Sequence, residues 1–285
     1  MRYVQPAELE EALDVLAEHG DQAKVLAGGQ SLLILLREHF VEPEVLVGLS
    51  GIESLRGLQV DDGARIGAMV THATIESDAR IAERWPLLTA AEKAVSTVQV
   101  RNRGTLCGNA AHAFPTADPP AALIACDARV QLASRQDTRE VRAEDFFVGV
   151  FETVARPDEL VAAITLPPPP AGARGVYLRY ALRPLDFAIV GVAVQAVRGD
   201  DGVLTDVRIG LNGAANRPLR AGQAEDVLIG QRPSSELLAE AAELAARHAD
   251  PLDDVDGSAS YRRQCVAVYT RRALAQALDM EPATS

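Results

Sequence analysis

At 285 residues, with 48% hydrophobic and 24% charged side chains, the chain is long enough for two compact domains, and its composition excludes a disordered or low-complexity protein. Twenty-eight basic residues against 40 acidic ones give a net charge of −12, so counterion release would work against nucleic-acid binding and no nucleic-acid partner is expected. The opening Met1–Pro6 lacks the apolar core and small-residue cleavage site of a signal peptide. No apolar run approaches the roughly 20 residues of a bilayer span, so a cytoplasmic protein without a membrane span is expected.

Pro6 opens a helical pattern in which Leu9, Leu13 and Leu16 share one stripe, and Gly20 is placed to end it. Val25–Ala27 is a short strand candidate, broken by Gly28–Ser31, after which Leu32–Leu36 resumes an apolar segment. Val45–Leu49, Leu55–Val60 and Ala64–Met69 follow as strands, with Asp61-Asp62-Gly63 as the turn between the last two. Ala79–Val98 is predicted to be largely helical and punctuated at Pro86. Arg101–Asn109 is a polar, glycine-bearing loop, and Pro119–Asp127 a second apolar helix. The run Pro167–Pro170 lacks four amide donors and continues neither helix nor ladder, so a domain boundary is placed there. Beyond it, Val176–Tyr180, Phe187–Val197 and Val203–Leu211 predict an antiparallel sheet, with Arg198–Gly202 as one turn and helices over Ser235–Ala249 and Ser258–Asp279. No repeat of solenoid period is present.

Cys107, Cys126 and Cys265 are far apart and form no cluster-ligand spacing, so the chain is not expected to hold its own iron–sulfur centre. His19, His39, His72, His112 and His248 show neither HxH nor HExxH spacing, and no metal is predicted. The loop Ala27-Gly28-Gly29-Gln30-Ser31 follows a strand, and its glycines let main-chain amides face a pyrophosphate. A purely structural glycine turn fits the same residues. The absence of GxGxxG and GxxxxGK[ST] removes support for nicotinamide and ATP binding of the usual kinds. A second loop, Gly104–Asn109, supplies glycines, the Thr105 hydroxyl and the Asn109 carboxamide, with Asp118 downstream. Neutral donors and one carboxylate suit a diphosphate and its vicinal sugar hydroxyls. The alternative has Asn109 capping a turn, Asp118 capping the helix opened by Pro119-Pro120, and Thr71 capping a strand-to-helix turn.

AGGQSLL at 27–33, IGAMVTHATIE at 66–76, RNRGTLCGNAAHAFPTADPPAALIA at 101–125 and FFVGVFETVARPDELV at 146–161 occur in an order that resembles the flavoprotein subunit of molybdenum hydroxylases. That family comprises the medium subunit of carbon monoxide dehydrogenase and the FAD domain of xanthine dehydrogenase, and the resemblance spans essentially the whole chain. It implies an α+β protein: an FAD-binding domain of the vanillyl-alcohol oxidase type over 1–167, with subdomains of about 1–56 and 57–167, then a C-terminal α+β domain with an antiparallel sheet over 173–285. It further implies an oxidoreductase subunit that takes electrons from [2Fe–2S] centres in a small subunit and passes them through non-covalent FAD to an external acceptor. The molybdenum cofactor would lie in a large subunit, and the assembly would be a dimer of heterotrimers.

Carried over by residue, the resemblance places Ala27, Gly28, Gly29, Gln30, Ser31 and Leu32 around the FAD diphosphate, and Thr105, Gly108, Asn109 and Asp118 beside the diphosphate and sugar. Thr71 and His72 would lie near the cofactor, Leu160 would make an apolar contact, and Tyr177 and Arg179 would approach from the C-terminal side. No catalytic nucleophile or general base is implied. Three positions depart from the family pattern: Cys107 for a glycine, Gln30 for a His, Thr or Asn-like residue, and Leu35–His39 for a proline-bearing continuation. The alternatives are a self-contained flavin oxidase of the vanillyl-alcohol type, linked through His72, His112 or Cys107, and a flavin-less assembly protein of the same fold. The substrate of the complex is not encoded in this chain.

Overall fold

The computed structural model describes residues 1–280. The chain begins β1 (Arg2–Val4), α1 (Leu9–His19), β2 (Ala23–Leu26), α2 (Leu32–Arg37) and β3 (Val45–Gly48). These three strands make a parallel sheet in the order β1-β3-β2. Every residue of the central β3 is buried, as expected for an apolar strand covered on both faces. Of the stripe foreseen on α1, Leu13 and Leu16 are buried and Leu9 is half-buried, and Ala12 joins them on the inward face.

Next come β4 (Leu58–Val60), β5 (Ala64–Gly67), α3 (His72–Ser77), α4 (Ala79–Arg84), α5 (Pro86–Ala94), α6 (Val98–Arg101), α7 (Leu106–His112) and α8 (Asp118–Ala125). They are followed by β6 (Arg129–Ala133), β7 (Thr138–Arg142), α9 (Ala143–Phe146), the β8 (Phe147–Gly149) and β9 (Glu152–Thr153) hairpin, and β10 (Leu160–Leu166). The sheet order is β4-β5-β10-β6-β7, antiparallel throughout, so the last strand in sequence is its centre. Six helices are thus inserted between two strands that flank β10. The largely helical stretch predicted over Ala79–Val98 resolves into α4, α5 and the start of α6: Pro86, the predicted punctuation, starts a new helix at its first position, where a missing amide is harmless, and Asp78 and Thr97 cap α4 and α6. Only Leu58–Val60 of the predicted strand from Leu55 pairs, because Glu53–Leu55 forms a 3₁₀ turn.

The remaining chain forms β11 (Arg174–Tyr180), β12 (Val190–Arg198), β13 (Leu204–Asn212), β14 (Leu219–Arg220), α10 (Gly222–Leu228), α11 (Ser235–His248) and α12 (Ala259–Ala277). The four strands are antiparallel in that order, with α12 against β11 and β12. Two apolar cores result, one built mostly of residues from Ala12 to Leu166 and one from Ile189 to Leu278. Tyr177 and Ala193 of the C-terminal sheet belong to the first core, and α8 lies against β12 and β13. That seam brings Asp118 to the C-terminal sheet.

Candidate cofactor site

The loop Ala27–Ser31 leaves β2 with Gly29 at a φ of +74°, a conformation that favours glycine. Gly28 packs against the main chain of the second loop: a Cβ there would stand 2.1 Å from the Arg103 carbonyl oxygen. Gln30 Nε2 donates to the Gly28 carbonyl at 3.2 Å, so the departure at this position folds back on its own loop. Among the described residues, no main-chain carbonyl receives the amides of Gly29, Gln30 or Ser31.

The facing loop is fixed from β5. Thr71 forms an isolated bridge with Thr105, and the His72 amide donates to the Gly104 carbonyl at 3.0 Å. Both threonines cap helices, Thr71 accepting from the Thr74 amide and Thr105 from the Gly108 amide at 3.0 Å. The Arg101–Asn109 segment is therefore a loop only as far as Thr105, and α7 begins immediately after it. The Gly108 amide is spent on Thr105, while the Thr105 hydroxyl keeps its proton to donate. Asn109 Oδ1 is buried without a hydrogen-bond partner among the described residues.

Asp118 lies at the other end of this region. Ala117, not Asp118, occupies the cap of α8, and Asp118 makes no side-chain cap. Its Oδ1 accepts instead from the Tyr177 hydroxyl at 2.6 Å and stands 3.2 Å from Arg179 Nε, an ion pair without hydrogen-bond alignment. Arg179 is further held by the carbonyls of Ala94, Pro184 and Asp186. Burial pushes the Asp118 carboxyl up to about 6, against the opposing pull of Arg179 and Tyr177.

Leu160 is buried at the start of β10 and packs in the first core. Cys107 points into that core, its thiol directed at the Ile66 carbonyl at 3.7 Å and pushed up to about 12 by burial. The side chain that replaces a glycine therefore leaves the loop surface clear. Leu35–His39 carries an exposed ion pair of Arg37 with Glu38 and an exposed hydrogen-bond contact of His39 with Glu42. Cys107, Cys126 and Cys265 are all free and buried. Native protein should accordingly resist a thiol reagent at every cysteine and titrate fully only when unfolded; fast labelling of the native state would contradict this packing.

Two residues of the region escaped the sequence reading. Glu92 on α5 is fully buried with its Oε2 against His72 Nδ1, and Asn212 on β13 donates from Nδ2 to the Thr116 carbonyl at 3.1 Å. Helical spacing gave a signal for the first, since Glu92 recurs at i+4 from Leu88 and i+7 from Trp85, both buried.

The family described as the FAD binding domain in molybdopterin dehydrogenase matches residues 1–169. The chain belongs to this family. A second match, to the CO dehydrogenase flavoprotein C-terminal domain, covers residues 177–277. The nicotine 6-hydroxylase medium subunit of Paenarthrobacter nicotinovorans is 36% identical over 97% of both chains, and the carbon monoxide dehydrogenase medium chain of Hydrogenophaga pseudoflava is 33% identical over 95% of both. Among solved structures, the Hydrogenophaga pseudoflava carbon monoxide dehydrogenase superposes with a TM-score of 0.95 at 34% identity, covering 98% of this chain and 97% of that one. Quinoline 2-oxidoreductase from Pseudomonas putida 86 follows at 0.91 and 33% identity, with 98% and 97% covered. The chain is thus an FAD-binding medium subunit of the molybdenum hydroxylase type, and no helix among its described residues is long and apolar enough to cross a membrane.

Unspent amides at Gly29–Ser31, the free Thr105 proton and the orphaned Asn109 oxygen are what a diphosphate and its attached hydroxyls require. The donor set fits FAD.

Proposed function

We propose that this subunit relays electrons, receiving them from [2Fe–2S] centres of a small partner subunit and handing them through FAD to an external acceptor. When bound, FAD supplies chemistry that accepts electrons singly and releases them in pairs. The single observation that carries the assignment of the site is the meeting of the two loops, with main-chain donors left over on one and an unpaired buried acceptor on the other.

In this reading the amides of Gly28, Gly29, Gln30 and Ser31 donate to the diphosphate, and the Thr105 hydroxyl adds a further donor without net charge. Asn109 Oδ1 and the Asp118 carboxylate accept from sugar or ribityl hydroxyls. Gly108 serves by keeping the turn narrow rather than by its amide, which Thr105 holds. Tyr177 and Arg179 fix the Asp118 carboxylate, and Thr71 and His72 fix the second loop. Ala27, Leu32 and Leu160 exclude water. None of these residues is required to act as a nucleophile or base.

The FAD-binding part would comprise 1–167, in subdomains of about 1–56 and 57–167, and the C-terminal part 173–285. Partners would be the iron–sulfur subunit and a large subunit with the molybdenum cofactor, in a dimer of heterotrimers. Three free cysteines suit a cytoplasmic, reducing setting. The three lie far apart, on α7, after α8 and on α12, and no group of His, Cys, Asp or Glu among the described residues is placed to hold a metal. This supports delivery of electrons from another chain.

The isolated full chain should therefore bind FAD in a one-to-one ratio yet leave it oxidised when aldehydes, purines, carbon monoxide or N-heterocycles are added without partners. Anaerobic absorbance at the flavin maximum measures this. Rapid bleaching by any of these substrates would overturn the relay in favour of a self-contained oxidase.

A further inference from the structure

Glu92 is 0% exposed on α5, a helix packed against both α3 and α8. Its Oε2 meets His72 Nδ1, while its Oε1 has no hydrogen-bond partner among the described residues. Nδ1 and the carboxyl share one hydrogen bond, and that contact holds the ring in one orientation. The opposite edge of that ring lies on Gly104: a Cβ there would stand 3.0 Å from His72 Cδ2 and 3.4 Å from Nε2. The His72 amide also binds the Gly104 carbonyl, and the adjoining Thr71 bridges Thr105, whose hydroxyl closes the turn on Gly108. A continuous set of contacts therefore runs from a buried carboxylate on α5 to the turn that presents Thr105 and Asn109.

We propose that Glu92 is a positioning residue for FAD binding: through His72 it holds the Gly104–Asn109 turn in the shape that receives the cofactor. The inference rests on the reading of that turn as part of the FAD cradle. Glu92 touches no part of the cofactor in this account. It acts by removing the freedom of the imidazole to swing away from Gly104, and the requirement is for an acceptor facing Nδ1 rather than for a charge.

The test uses the full-length chain, with the FAD dissociation constant measured by flavin fluorescence and the thermal midpoint measured with and without FAD. Glu92→Leu should weaken FAD binding by about tenfold or more, the size of one buried hydrogen bond lost. Glu92→Gln keeps an acceptor oxygen and should stay within about threefold of the parent, and adding His72→Ala to Glu92→Leu should bring little further loss. A lowered midpoint with an unchanged dissociation constant would make the pair merely structural and overturn the proposal. Should Glu92→Leu not fold, the ¹⁵N signals of the His72 ring in the parent chain decide, because an unprotonated Nδ1 contradicts the arrangement. Asn109→Leu separates the two levels: if it weakens FAD binding and Glu92→Leu does not, the positioning role alone fails; if neither does, the cradle assignment itself fails.

Discussion

Replacing Gly28 by alanine should strip most FAD from the protein while leaving all three principal sheets folded. The added methyl would lie 2.1 Å from the Arg103 carbonyl oxygen and 2.7 Å from Gly104 Cα, both of them main-chain atoms that no rotamer change can move. The two loops must part, at a cost of about 1–3 kcal/mol typical of overpacking, and the donors they present no longer converge. Gly29→Val acts differently. Its nearest neighbours are the flexible ends of Leu33 and Leu26, so the cost there is the strain of a β-branched residue at φ +74°, on the order of 1–3 kcal/mol. Gly222→Ala is the control, because nothing lies within 4 Å of its added methyl at the start of α10. The flavin-to-protein ratio after purification, read beside circular dichroism, checks the set. Full flavin occupancy in Gly28→Ala would remove the first loop from the site.

The contrast between these glycines explains what the sequence could reveal. A strand followed by Gly28-Gly29 announces a tight turn from local chemistry alone, but the reason Gly28 tolerates no side chain is Arg103, 75 residues away, and no local pattern contains that contact. The same limit hid β10. Leu160–Leu166 is apolar enough to be a strand, yet its place between β5 and β6 is a long-range pairing with no local mark. The segment after Arg101 was misread for the opposite reason: its glycines suggested a loop, whereas Thr105 caps a helix whose Leu106 and Ala110, at i and i+4, face the core. Two of the capping alternatives separated cleanly. Thr71 does cap α3, and the amide of its neighbour His72 binds the Gly104 carbonyl, which ties this turn to the second loop. Asp118 caps nothing, since a helix cap needs extended backbone and Asp118 already stands in the first turn, with its carboxylate turned to Tyr177.

The pH dependence of Asp118 should be visible both in stability and in FAD affinity. Its carboxyl, ordinarily at 3.8, is raised to about 6 chiefly by burial; Arg179 and Tyr177 oppose the rise and the nearby Glu92 adds to it. The native protein therefore keeps a proton that the unfolded chain gives up near 3.8, and folding takes up a proton between those values. The stability contribution of this group is complete below about pH 4 and is lost as pH rises to about 6, a change of about 3 kcal/mol. Asp118→Asn cannot ionise, so its urea-unfolding free energy should be flatter than the parent's across that interval. FAD should show the opposite slope. Hydroxyls that donate to Asp118 stabilise its carboxylate, so affinity in the parent should climb as pH rises through about 6, while the Asn variant binds more weakly above that pH and shows no such climb. Titrating FAD into both proteins from about pH 5 to 8 distinguishes the two roles. If the unfolding slopes differ as expected but the binding curves are parallel, Asp118 serves only to join α8 to β11 through Tyr177 and Arg179, and the sugar hydroxyls must find their acceptor elsewhere, with Asn109 Oδ1 a buried side-chain oxygen on the second loop that has no partner among the described residues.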